Sequence, residues 1–312
     1  MFNEKKILIT GGTGTVGQEI TRQLLKSNDP EEIRIFSRSE ISQVEMKAKF
    51  NDKRLKFIIG DIRDEKAVKD ACHHIDLIFH LCALKHVGIC EEQPIEALKT
   101  NVNGAINIAE AAIANSVERV VNISTDKAVN PNSLYGHTKA VAEKLFVWAN
   151  HIGDTRFMNV RSGNIFGSSG SVVPLFFKQI KQNNQIALTD GNMTRFFVSV
   201  KEIAEYLILV MAKGDGPNMY IMNNARSMKL RDLAEIIIEI NWNMKGNENV
   251  AIKEIGSGPG EKMHEELFTS LEKVYILFPT GAVIVAPQPC ISSDCVLSKS
   301  DLNKWIHDNG GY

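Results

Sequence analysis

The sequence predicts an α/β fold with a doubly wound parallel sheet, and two features carry that prediction. Short apolar β-type runs alternate with longer helical patterns through the first half of the 312-residue chain. This order is typical of parallel strands joined by helices that cover both faces of a sheet. A glycine-rich turn also follows the first apolar run directly and opens the first helical pattern, as in many doubly wound sheets.

Each element is predicted from its own residue pattern. Lys6–Thr10 is a short apolar run that suits a buried strand, and Val16–Lys26 places Val16, Ile20 and Leu24 on one helix face. The same reasoning predicts the further strands Glu32–Phe36, Leu55–Ile59, Asp76–His80 and Val117–Ile123. It predicts the further helices Glu65–Ala71, Ile95–Ala114, Leu134–Ala149, Val200–Lys213 and Leu230–Ile240.

The regular alternation of strands and helices is lost after Arg156, where short strands mix with helices. This change predicts that the chain has two parts. Residues 1–160 would form a Rossmann-type nucleotide-binding domain. Residues 161–312 would form most of a smaller C-terminal substrate-binding lobe that still lends elements to the sheet. The uncharged stretch Val274–Ser293 is long enough to suggest a membrane span, but prolines and a glycine interrupt it. Two short strands, "VYILF" and "AVIVA", suit this stretch better.

Composition argues against several function classes. The 36 basic and 37 acidic residues nearly cancel, so no overall basic field would attract nucleic acid or an anionic membrane. The N-terminal apolar run is too short for a secretory signal, and the number of cysteines, five, is odd. We therefore expect a cytoplasmic protein in a reducing compartment, without a nucleic-acid or membrane partner.

The glycine-rich turn predicts a dinucleotide site. Its glycines follow the spacing G-x-x-G-x-x-G, ending at Gly17. Glycine lets the backbone approach a pyrophosphate, and the helix N-terminus supplies N–H donors and a positive dipole end. The alternative is a glycine-rich turn of some other α/β protein. The cofactor contacts predicted here are Gly11, Thr13, Gly14, Thr15 and Val16.

The end of the second strand favours NADP over NAD. An acidic residue usually binds the ribose 2′-hydroxyl of NAD at this place, whereas here Ser37, Arg38 and Ser39 follow the strand. One cation and two hydroxyls suit a 2′-phosphate, and a solvated surface arginine is the alternative for Arg38. Asp61 could equally be a helix cap. Further cofactor contacts are predicted at Asp61, Ile62, Ala83 and Lys85.

The polar run Ser124–Lys139, "STDKAVNPNSLYGHTK", predicts a catalytic site. Tyr135 and Lys139 lie four residues apart and share one helix face, so the ammonium would lower the pKa of the tyrosine, as a general base requires. Asp126 and Lys127 form an acid–base couple that suits an elimination, in which one group takes a proton from carbon and the other protonates a leaving hydroxyl. A capping aspartate and a surface lysine are the alternative.

These motifs together resemble a known enzyme family. "TGGTGTVG", "GDIRD", "NVNG" and "YGHTK" occur in the order typical of the extended short-chain dehydrogenase/reductase superfamily. "STDKA", "ALKHV", "NIFGSSGSVVPLF", "MTRFF" and "GPGEKMHEEL" are similar to motifs of its UDP-N-acetylglucosamine 4,6-dehydratases. The resemblance covers most of the chain. It implies an NADP-dependent lyase of the soluble polysaccharide-biosynthesis type that acts on UDP-N-acetylglucosamine for surface glycans.

The resemblance also implies a role for each catalytic residue. Tyr135 would take the 4-hydroxyl proton while hydride passes from C4 to NADP, and Lys139 would hold the nicotinamide ribose. Lys127 would then remove the C5 proton, Asp126 would protonate the departing 6-hydroxyl, and hydride would return to C6. Thr125 would bind the sugar near O4. The net reaction is loss of water, which leaves a UDP-4-keto-6-deoxy sugar.

Other polar residues are predicted to bind the substrate. Lys85 and His86 would face the sugar, and Asn164 and Arg195 would contact the uracil and diphosphate, with ordinary turn or surface roles as the alternative. Glu261 would close the site or pair with its neighbour Lys262.

We predict no metal site. The run Cys82, His86 and Cys90 offers only three possible ligands on one helix, without a fourth.

The chain departs from the family at Gly258, where relatives usually carry arginine in "RPGEK". If that arginine grips the diphosphate, one cation is missing, and Arg195 or Lys262 would have to compensate. Tyr135, where membrane-anchored retaining members tend to carry methionine, leans toward the small soluble enzymes, which often invert C5. The sequence leaves the C5 configuration open.

Two other functions remain as alternatives. A UDP-sugar 4-epimerase would use Tyr135 and Lys139 but gives no reason for the adjacent Asp126 and Lys127. A non-catalytic NADP-sensing protein would usually lack the tyrosine–lysine pair. By analogy with the superfamily, whose long helices commonly pair subunits, we expect a homo-oligomer.

Overall fold

The computed structural model describes residues 1–222, 226–245, 249–258, 260–280, 283–285 and 290–310. The strands in these ranges are β1 Lys6–Thr10, β2 Glu32–Ser37, β3 Leu55–Ile59, β4 Leu77–His80, β5 Arg119–Thr125, β6 Arg156–Ser162, β7 Asn164–Ile165, β8 Gln185–Leu188, β9 Thr194–Val198, β10 Met219–Ile221, β11 Arg226–Lys229, β12 Ala251–Glu254, β13 Glu266–Phe268, β14 Val274–Leu277, β15 Val283–Val285 and β16 Cys290–Ile291. The helices are α1 Thr15–Ser27, α2 Glu40–Phe50, α3 Glu65–Ala71, α4 Val87–Glu92, α5 Pro94–Leu98, α6 Gly104–Ala114, α7 Leu134–Ala149, α8 Val172–Asn183, α9 Val200–Lys213, α10 Leu230–Lys245 and α11 Lys299–Gly310.

The main sheet has nine strands in the order β3-β2-β1-β4-β5-β6-β10-β14-β15. All neighbouring pairs are parallel except β14 and β15, which run antiparallel at the edge. The chain therefore winds outward in one direction through β3 and in the other from β4. Ligands of doubly wound sheets bind at such a reversal, outside the carboxyl ends of the strands. The predicted fold class is confirmed.

Apolar side chains cover both faces of this sheet. Ile7 and Ile9 of β1 pack with Ile20 of α1 on one face, whereas Leu8 packs with Phe146 of α7 on the other. Successive strand side chains point to opposite faces, so a continuous apolar strand is buried on both. Each such side chain contributes about 1.5–3 kcal/mol when fully buried. These two layers hold the carboxyl ends of β1, β4 and β5 in fixed positions.

The later part of the chain builds a second apolar cluster. Phe176, Ile237 and Trp305 pack there from α8, α10 and α11. Three small sheets lie in this part of the chain, in the orders β11-β9-β7, β12-β8 and β13-β16. Strands β10, β14 and β15 nevertheless extend the main sheet. The division at residue 160 stays a prediction.

The predicted single helix Ile95–Ala114 is wrong, because a π-helical turn at Lys99–Asn103 separates α5 from α6. At this turn the Asn101 side chain accepts from the Leu84 N–H (2.8 Å) and donates to the Leu84 carbonyl (2.9 Å). Single π turns inside helices often occur at functional sites. Here the turn ties the "NVNG" motif to the loop that follows β4.

Helices α2, α4, α8 and α11 were not predicted from the sequence. In α2, for example, Ile41 and Val44 are exposed and the buried residues are Gln43 and Met46. A helix with so few buried apolar positions has no clear 3.6-residue pattern.

No helix in the described ranges is both long enough and apolar enough to span a bilayer. The stretch that suggested a span instead contains β14 and β15, which pair antiparallel. Parts of "AVIVA" and the following prolines, at 281–282 and 286–289, lie outside the described residues.

Candidate active site

A cavity of about 720 Å³ lies at the carboxyl ends of the central strands. Its wall contains the glycine-rich turn after β1, the ends of β2 and β5, the loop after β4 and the start of α7. Four of the predicted site residues do not line it, namely Asp61, Asp126, Arg195 and Glu261. The predicted site residues that do line it are Gly11, Thr13, Gly14, Thr15, Val16, Ser37, Arg38, Ser39, Ile62, Ala83, Lys85, His86, Thr125, Lys127, Tyr135, Lys139 and Asn164.

The glycine-rich turn fits a dinucleotide. Gly11 has a φ of +65°, and a Cβ there would lie 3.1 Å from the Cys82 backbone nitrogen. At Gly17 a Cβ would lie 2.5 Å from the Gly12 carbonyl oxygen, so the helix packs closely on the turn. Gly14 caps α1 without a side chain. The helix N-terminus therefore meets the cavity as bare backbone, which suits a pyrophosphate.

Ser37, which ends β2, and Arg38 and Ser39, which follow it, line the same cavity as the glycine-rich turn. Ser37 Oγ accepts from Gln43 Nε2 (3.0 Å), and Ser39 caps α2 by accepting from the Ser42 N–H (3.2 Å). The Arg38 side chain is 58% exposed and reaches within 4.0 Å of Asp61. It is thus available to a ligand rather than held by the fold.

Asp61 is not brought to the cavity wall, although it was predicted to contact the cofactor. Its carboxylate pairs instead with Arg63 at 2.6 Å, and this hydrogen bond lowers the pKa of Asp61. From the "GDIRD" motif only Ile62 lines the cavity.

Asp126 and Lys127 form an ion pair at the end of β5, in which the aspartate is buried and the lysine reaches the cavity. Lys127 Nζ donates to Asp126 Oδ1 over 3.0 Å, and Thr125 Oγ1 donates to the same oxygen over 3.0 Å. The Asp126 side chain is 0% exposed, and its Oδ2 has no hydrogen-bond partner among the described residues. A capping aspartate and a surface lysine would show none of this burial, so that alternative does not describe the pair.

Two further oxygens surround the ammonium of Lys127. Nζ donates to Asn164 Oδ1 (3.3 Å) and lies 3.5 Å from Glu265 Oε1. Burial alone would lower the pKa of Lys127, but the carboxylates of Asp126 and Glu265 outweigh it and raise that pKa. Lys127 is therefore an ammonium at neutral pH. It is hydrogen-bonded to Asp126, the residue predicted to form an acid–base couple with it.

Lys139 and Tyr135 lie beside this pair on α7. Lys139 Nζ donates to the Ile123 carbonyl (2.7 Å), and burial lowers its pKa to about 8. Burial raises the pKa of Tyr135 to about 12, and Lys127 is the cation that works against this shift. The pKa of Tyr135 is therefore raised, not lowered as predicted, and the cation that opposes the rise is Lys127 rather than Lys139.

Gly136 is a site residue that the sequence reasoning missed. A Cβ at this position would lie 2.2 Å from the Lys127 carbonyl oxygen and 3.1 Å from Pro131 Cβ. The start of α7 therefore packs directly on the short 3₁₀ turn Asp126–Ala128. The signal was present in the sequence as the glycine that follows Tyr135.

His80 was also missed, and it supports the sheet beneath the cavity. Its Nδ1 lies 2.9 Å from Thr10 Oγ1, which joins β1 to β4 at the strand reversal. Burial lowers the pKa of His80 to about 3, with a smaller contribution from Lys139. The imidazole is therefore neutral at ordinary pH.

A loop after β7 lies over the glycine-rich turn. Lys85 Nζ donates to the Ser169 carbonyl (2.7 Å), and the Ser169 N–H donates to Thr15 Oγ1 (3.4 Å). Burial lowers the pKa of Lys85. His86 lies so close to Gly170 that a Cβ there would come within 2.6 Å of its ring. Lys85 and His86 thus contact this loop as well as the cavity.

Arg195 and Glu261 have other partners than those predicted. Arg195 is buried and donates to the carbonyls of Thr194 (2.9 Å) and Met263 (3.2 Å), so its guanidinium is turned away from the cavity. Glu261 accepts from the Gly258 N–H (3.1 Å). Its suggested partner Lys262 donates instead to the Val129 carbonyl oxygen over 2.6 Å. Pro259 of the "GPGEK" motif lies outside the described residues.

The described ranges hold no group of three or more histidine, cysteine or acidic side chains arranged for a metal ion. The sulfur of Cys90, one of the three residues considered for a metal, lies 3.6 Å from the Leu84 carbonyl oxygen.

Comparison with known proteins places these features in context. A family profile described as "Polysaccharide biosynthesis protein" matches residues 7–279. UDP-N-acetylglucosamine 4,6-dehydratase (inverting) of Campylobacter jejuni is 41% identical over 86% of this chain and 79% of its own. UDP-glucose 4-epimerase of Rickettsia prowazekii is also 41% identical, over the same shares of both chains, 86% and 79%. The X-ray structure of Pen from Bacillus thuringiensis is 38% identical, covers 98% of both chains and has a TM-score of 0.91.

More distant structures share the fold. DesIV, a dTDP-glucose 4,6-dehydratase of Streptomyces venezuelae solved with NAD bound, has a TM-score of 0.74 at 22% identity over 98% of both chains. The family and the enzyme class predicted from the sequence are confirmed by the closer relatives. The chain belongs to the polysaccharide biosynthesis protein family, among the sugar-nucleotide dehydratases and epimerases of the extended short-chain dehydrogenase/reductases.

Proposed function

We propose that this enzyme removes water from UDP-N-acetylglucosamine in an NADP-dependent 4,6-dehydration for surface glycan synthesis. One observation carries the proposal: a lysine and an aspartate in direct contact, Lys127 Nζ to Asp126 Oδ1 at 3.0 Å, stand beside the tyrosine–lysine pair. Oxidation and reduction at C4 need the tyrosine–lysine pair alone. The additional acid–base couple suits an elimination.

The oxidation step would use Tyr135, Thr125 and Lys139. Bound NADP would supply the acceptor for hydride from C4 and later return it to C6. Tyr135 lines the cavity and would take the 4-hydroxyl proton, while Thr125 would hold the oxygen. Because burial raises the tyrosine pKa to about 12, the phenol needs the neighbouring charge of Lys127 to act as a base. Lys139, fixed to the Ile123 carbonyl, would hold the nicotinamide ribose.

The elimination step would use Lys127 as base and Asp126 as acid. In the resting ion pair both groups have the wrong protonation state, since Lys127 holds the proton that Asp126 must donate. One proton moving along the 3.0 Å hydrogen bond from Nζ to Oδ1 corrects both groups at once. Lys127 would then take the C5 proton, and Asp126 would protonate the leaving 6-hydroxyl. Because Asp126 itself does not line the cavity, that hydroxyl would have to approach it between Thr125 and Lys127, which do. After water leaves, Lys127 is again an ammonium and Asp126 a carboxylate, and a proton that has exchanged with solvent would be delivered to C5 as hydride returns to C6.

NADP is proposed in preference to NAD because of the side chains beyond β2. Ser37, Arg38 and Ser39 line the cavity there, and Arg38 is largely exposed. An arginine fork binds phosphate oxygens in a bidentate way. These side chains support binding of a 2′-phosphate in the part of the cavity next to β2.

The substrate diphosphate would be bound by Lys85 and His86 rather than by Arg195. Both line the cavity, whereas Arg195 is buried against backbone carbonyls. Asn164 also lines the cavity and would orient the sugar through its contact with Lys127.

A UDP-sugar 4-epimerase is the second candidate. It is favoured by the relatives that carry this name at 41% identity, the same value as the dehydratase. An epimerase would not need Lys127 and Asp126 to exchange a proton, so the buried pair favours dehydration.

A homo-oligomer is also proposed. Val141, Trp148 and Ile152 are exposed along one stripe of α7 and the turn after it, and Ile95 and Leu98 of α5 are exposed as well. Exposed apolar patches of this kind commonly mark protein interfaces. The cytoplasmic location stays a prediction from composition.

Proton NMR of the enzyme with UDP-N-acetylglucosamine and NADP in D₂O tests the function. A new C6 methyl signal with deuterium at C5 would establish dehydration, and the ring couplings would give the C5 configuration. A UDP-N-acetylgalactosamine spectrum would instead establish the epimerase. An unchanged spectrum with NADP bound would contradict both candidates for this substrate.

A further inference from the structure

A second buried carboxylate lies at Lys127, on the side away from the cavity. Glu265 Oε1 is 3.5 Å from Lys127 Nζ and 3.9 Å from Arg195 Nε. Glu265 does not line the cavity, and its Oε2 has no hydrogen-bond partner among the described residues. Buried carboxylates are costly unless they are paired, and the cations near Glu265 are Lys127 and Arg195.

The backbone of Glu265 is held firmly in place. Its N–H donates to Ser292 Oγ (2.8 Å), and its carbonyl accepts from the Ser292 N–H (2.8 Å). Ser292 Oγ in turn lies 2.7 Å from Thr194 Oγ1 of β9. The carboxylate therefore approaches Lys127 from a fixed support, independent of the loop that carries the lysine.

The charges around Lys127 come from three elements. Asp126 lies on its own turn, Glu265 lies just before β13, and Arg195 projects from β9 toward Glu265. Burial raises the pKa of Glu265, and Lys127 opposes that shift more strongly than the other cations nearby, Arg195 and Lys262. Lys127 and Glu265 are thus electrostatic partners.

We propose that Glu265 is a positioning residue for the elimination, acting through Lys127. Its carboxylate holds Nζ at the cavity wall and stabilises the ammonium that forms when Lys127 accepts the C5 proton. In that step the C5–H bond breaks, an N–H bond forms, and the C–H electron pair becomes the C5–C6 double bond. The C6–O6 bond breaks as O6 takes the proton from Asp126, and water leaves. The inference rests on the proposed dehydration and deepens it.

This role predicts a specific defect. Without the carboxylate, the C4 oxidation by Tyr135 should proceed, because Glu265 lies outside the cavity and Asp126 still pairs with the Lys127 ammonium beside the tyrosine. Removal of the C5 proton should slow. An intermediate oxidised at C4 would then wait at the site, with the nicotinamide in its reduced form. A purely structural role would impair both steps together, or neither.

The test compares Glu265→Gln with Glu266→Gln as the matched control. Glu266 is the next residue, and its carboxylate accepts from Asn130 (2.9 Å) on the other side of the chain. For Glu265→Gln we expect kcat to fall about 100-fold with little change in KM. We also expect slower deuterium entry at C5 and a growing near-ultraviolet band of reduced nicotinamide. Glu266→Gln should match the wild type in all of these.

Each other outcome is decisive. If the Glu265→Gln enzyme has the same kcat and the same rate of deuterium entry at C5 as the wild type, the inference is overturned and the proposed function stands. A wild-type enzyme that yields only a 4-epimer would overturn both. If Glu265→Gln does not fold, Glu265→Asp carries the test, since it keeps the charge but withdraws it from Nζ. A partial loss of kcat with accumulated reduced nicotinamide supports the role, and equal loss of oxidation and elimination opposes it.

Discussion

Lys127 Nζ donates its hydrogen bond to Asp126 Oδ1 over 3.0 Å, within a fold that leaves the second oxygen of this aspartate without a hydrogen-bond partner among the described residues. The pair is therefore more than a stabilising ion pair, since a buried ion pair retained for stability is normally fully hydrogen-bonded. The second oxygen is therefore free to bind a group that the described residues do not supply.

Asp126→Asn should abolish dehydration without loss of cofactor. The amide cannot receive the proton from Lys127 and pass it to the leaving hydroxyl, so we expect kcat to fall at least about 100-fold. NMR of the C6 methyl signal measures turnover, and fluorescence titration measures NADP affinity. Asp154→Asn, at an exposed aspartate after α7, is the control. Loss of NADP binding in Asp126→Asn would assign the residue a structural role instead.

Arg38→Ala should reduce the preference for NADP. An arginine–phosphate contact is worth about 1.5–3 kcal/mol, so NADP affinity should fall roughly 10- to 100-fold while NAD affinity stays unchanged. Calorimetric titration with each nucleotide measures both values. Lys53→Ala removes another exposed positive charge, just before β3, and should change neither. Equal weakening of both cofactors would argue against a 2′-phosphate contact.

Gly136→Ala should damage stability and turnover together. The new methyl group would meet the Lys127 carbonyl oxygen at 2.2 Å, so α7 or the catalytic turn must shift, at a cost of about 1–3 kcal/mol. Urea denaturation gives the free energy of unfolding, and the NMR assay gives kcat. Gly88→Ala is the matched control, because a Cβ at this position in α4 meets no atom within 4 Å. An unimpaired Gly136→Ala enzyme would show that the contact is not needed.

His80 should make the protein less stable in mild acid. Its folded pKa of about 3 lies below the ordinary histidine pKa of 6.5, so the unfolded chain takes up a proton that the folded protein does not. The contribution is fully present above about pH 6.5 and is lost as the pH falls toward 3, by at most about 1.4 kcal/mol per pH unit. Urea denaturation of wild type and His80→Gln between these limits should show a shallower pH dependence in the variant. His137→Gln, at an exposed position of α7, should retain the wild-type dependence.

Trp148→Glu should weaken self-association. The side chain is 57% exposed on α7, and a carboxylate in an apolar interface would be desolvated without a partner. Analytical ultracentrifugation over a range of concentrations measures the oligomeric state. Trp242→Glu, at a tryptophan 44% exposed on α10, is the control. A wild-type protein that is monomeric at every concentration would contradict the proposed homo-oligomer.

The sequence predicts the local elements well where their pattern is strong. Strand Leu55–Ile59 and helix Leu134–Ala149 have the same bounds in the structure as in the prediction. Helix α2 was not predicted because few of its residues are buried. The π turn after α5 was not predicted because it occurs where Asn101 bonds to Leu84, which belongs to the loop after β4. Local periodicity cannot report such a contact.

The same limit applies to the site. The motif "STDKA" places Asp126 and Lys127 together because they are adjacent in the chain. Glu265 lies more than a hundred residues away and meets Lys127 only through the folding of β9 and β13 against the sheet. Burial likewise decides the pKa of Tyr135, and burial is a property of the assembled fold rather than of spacing. Residue types that meet through tertiary packing are therefore the ones that sequence reasoning misses.

The contact between Gly136 and the Lys127 carbonyl has a consequence for how such enzymes diverge. In the proposed reaction, α7 would act on the 4-hydroxyl through Tyr135, and the turn Asp126–Ala128 would act at C5 through Lys127. These two elements meet backbone to backbone, with only a hydrogen of Gly136 between them. Their spacing cannot be adjusted by exchanging side chains, because no side chain is present at the junction. We therefore expect new sugar specificities or a different ring configuration to arise elsewhere along the cavity, at Asn164 and in the loop at Ser169, where side chains can still vary.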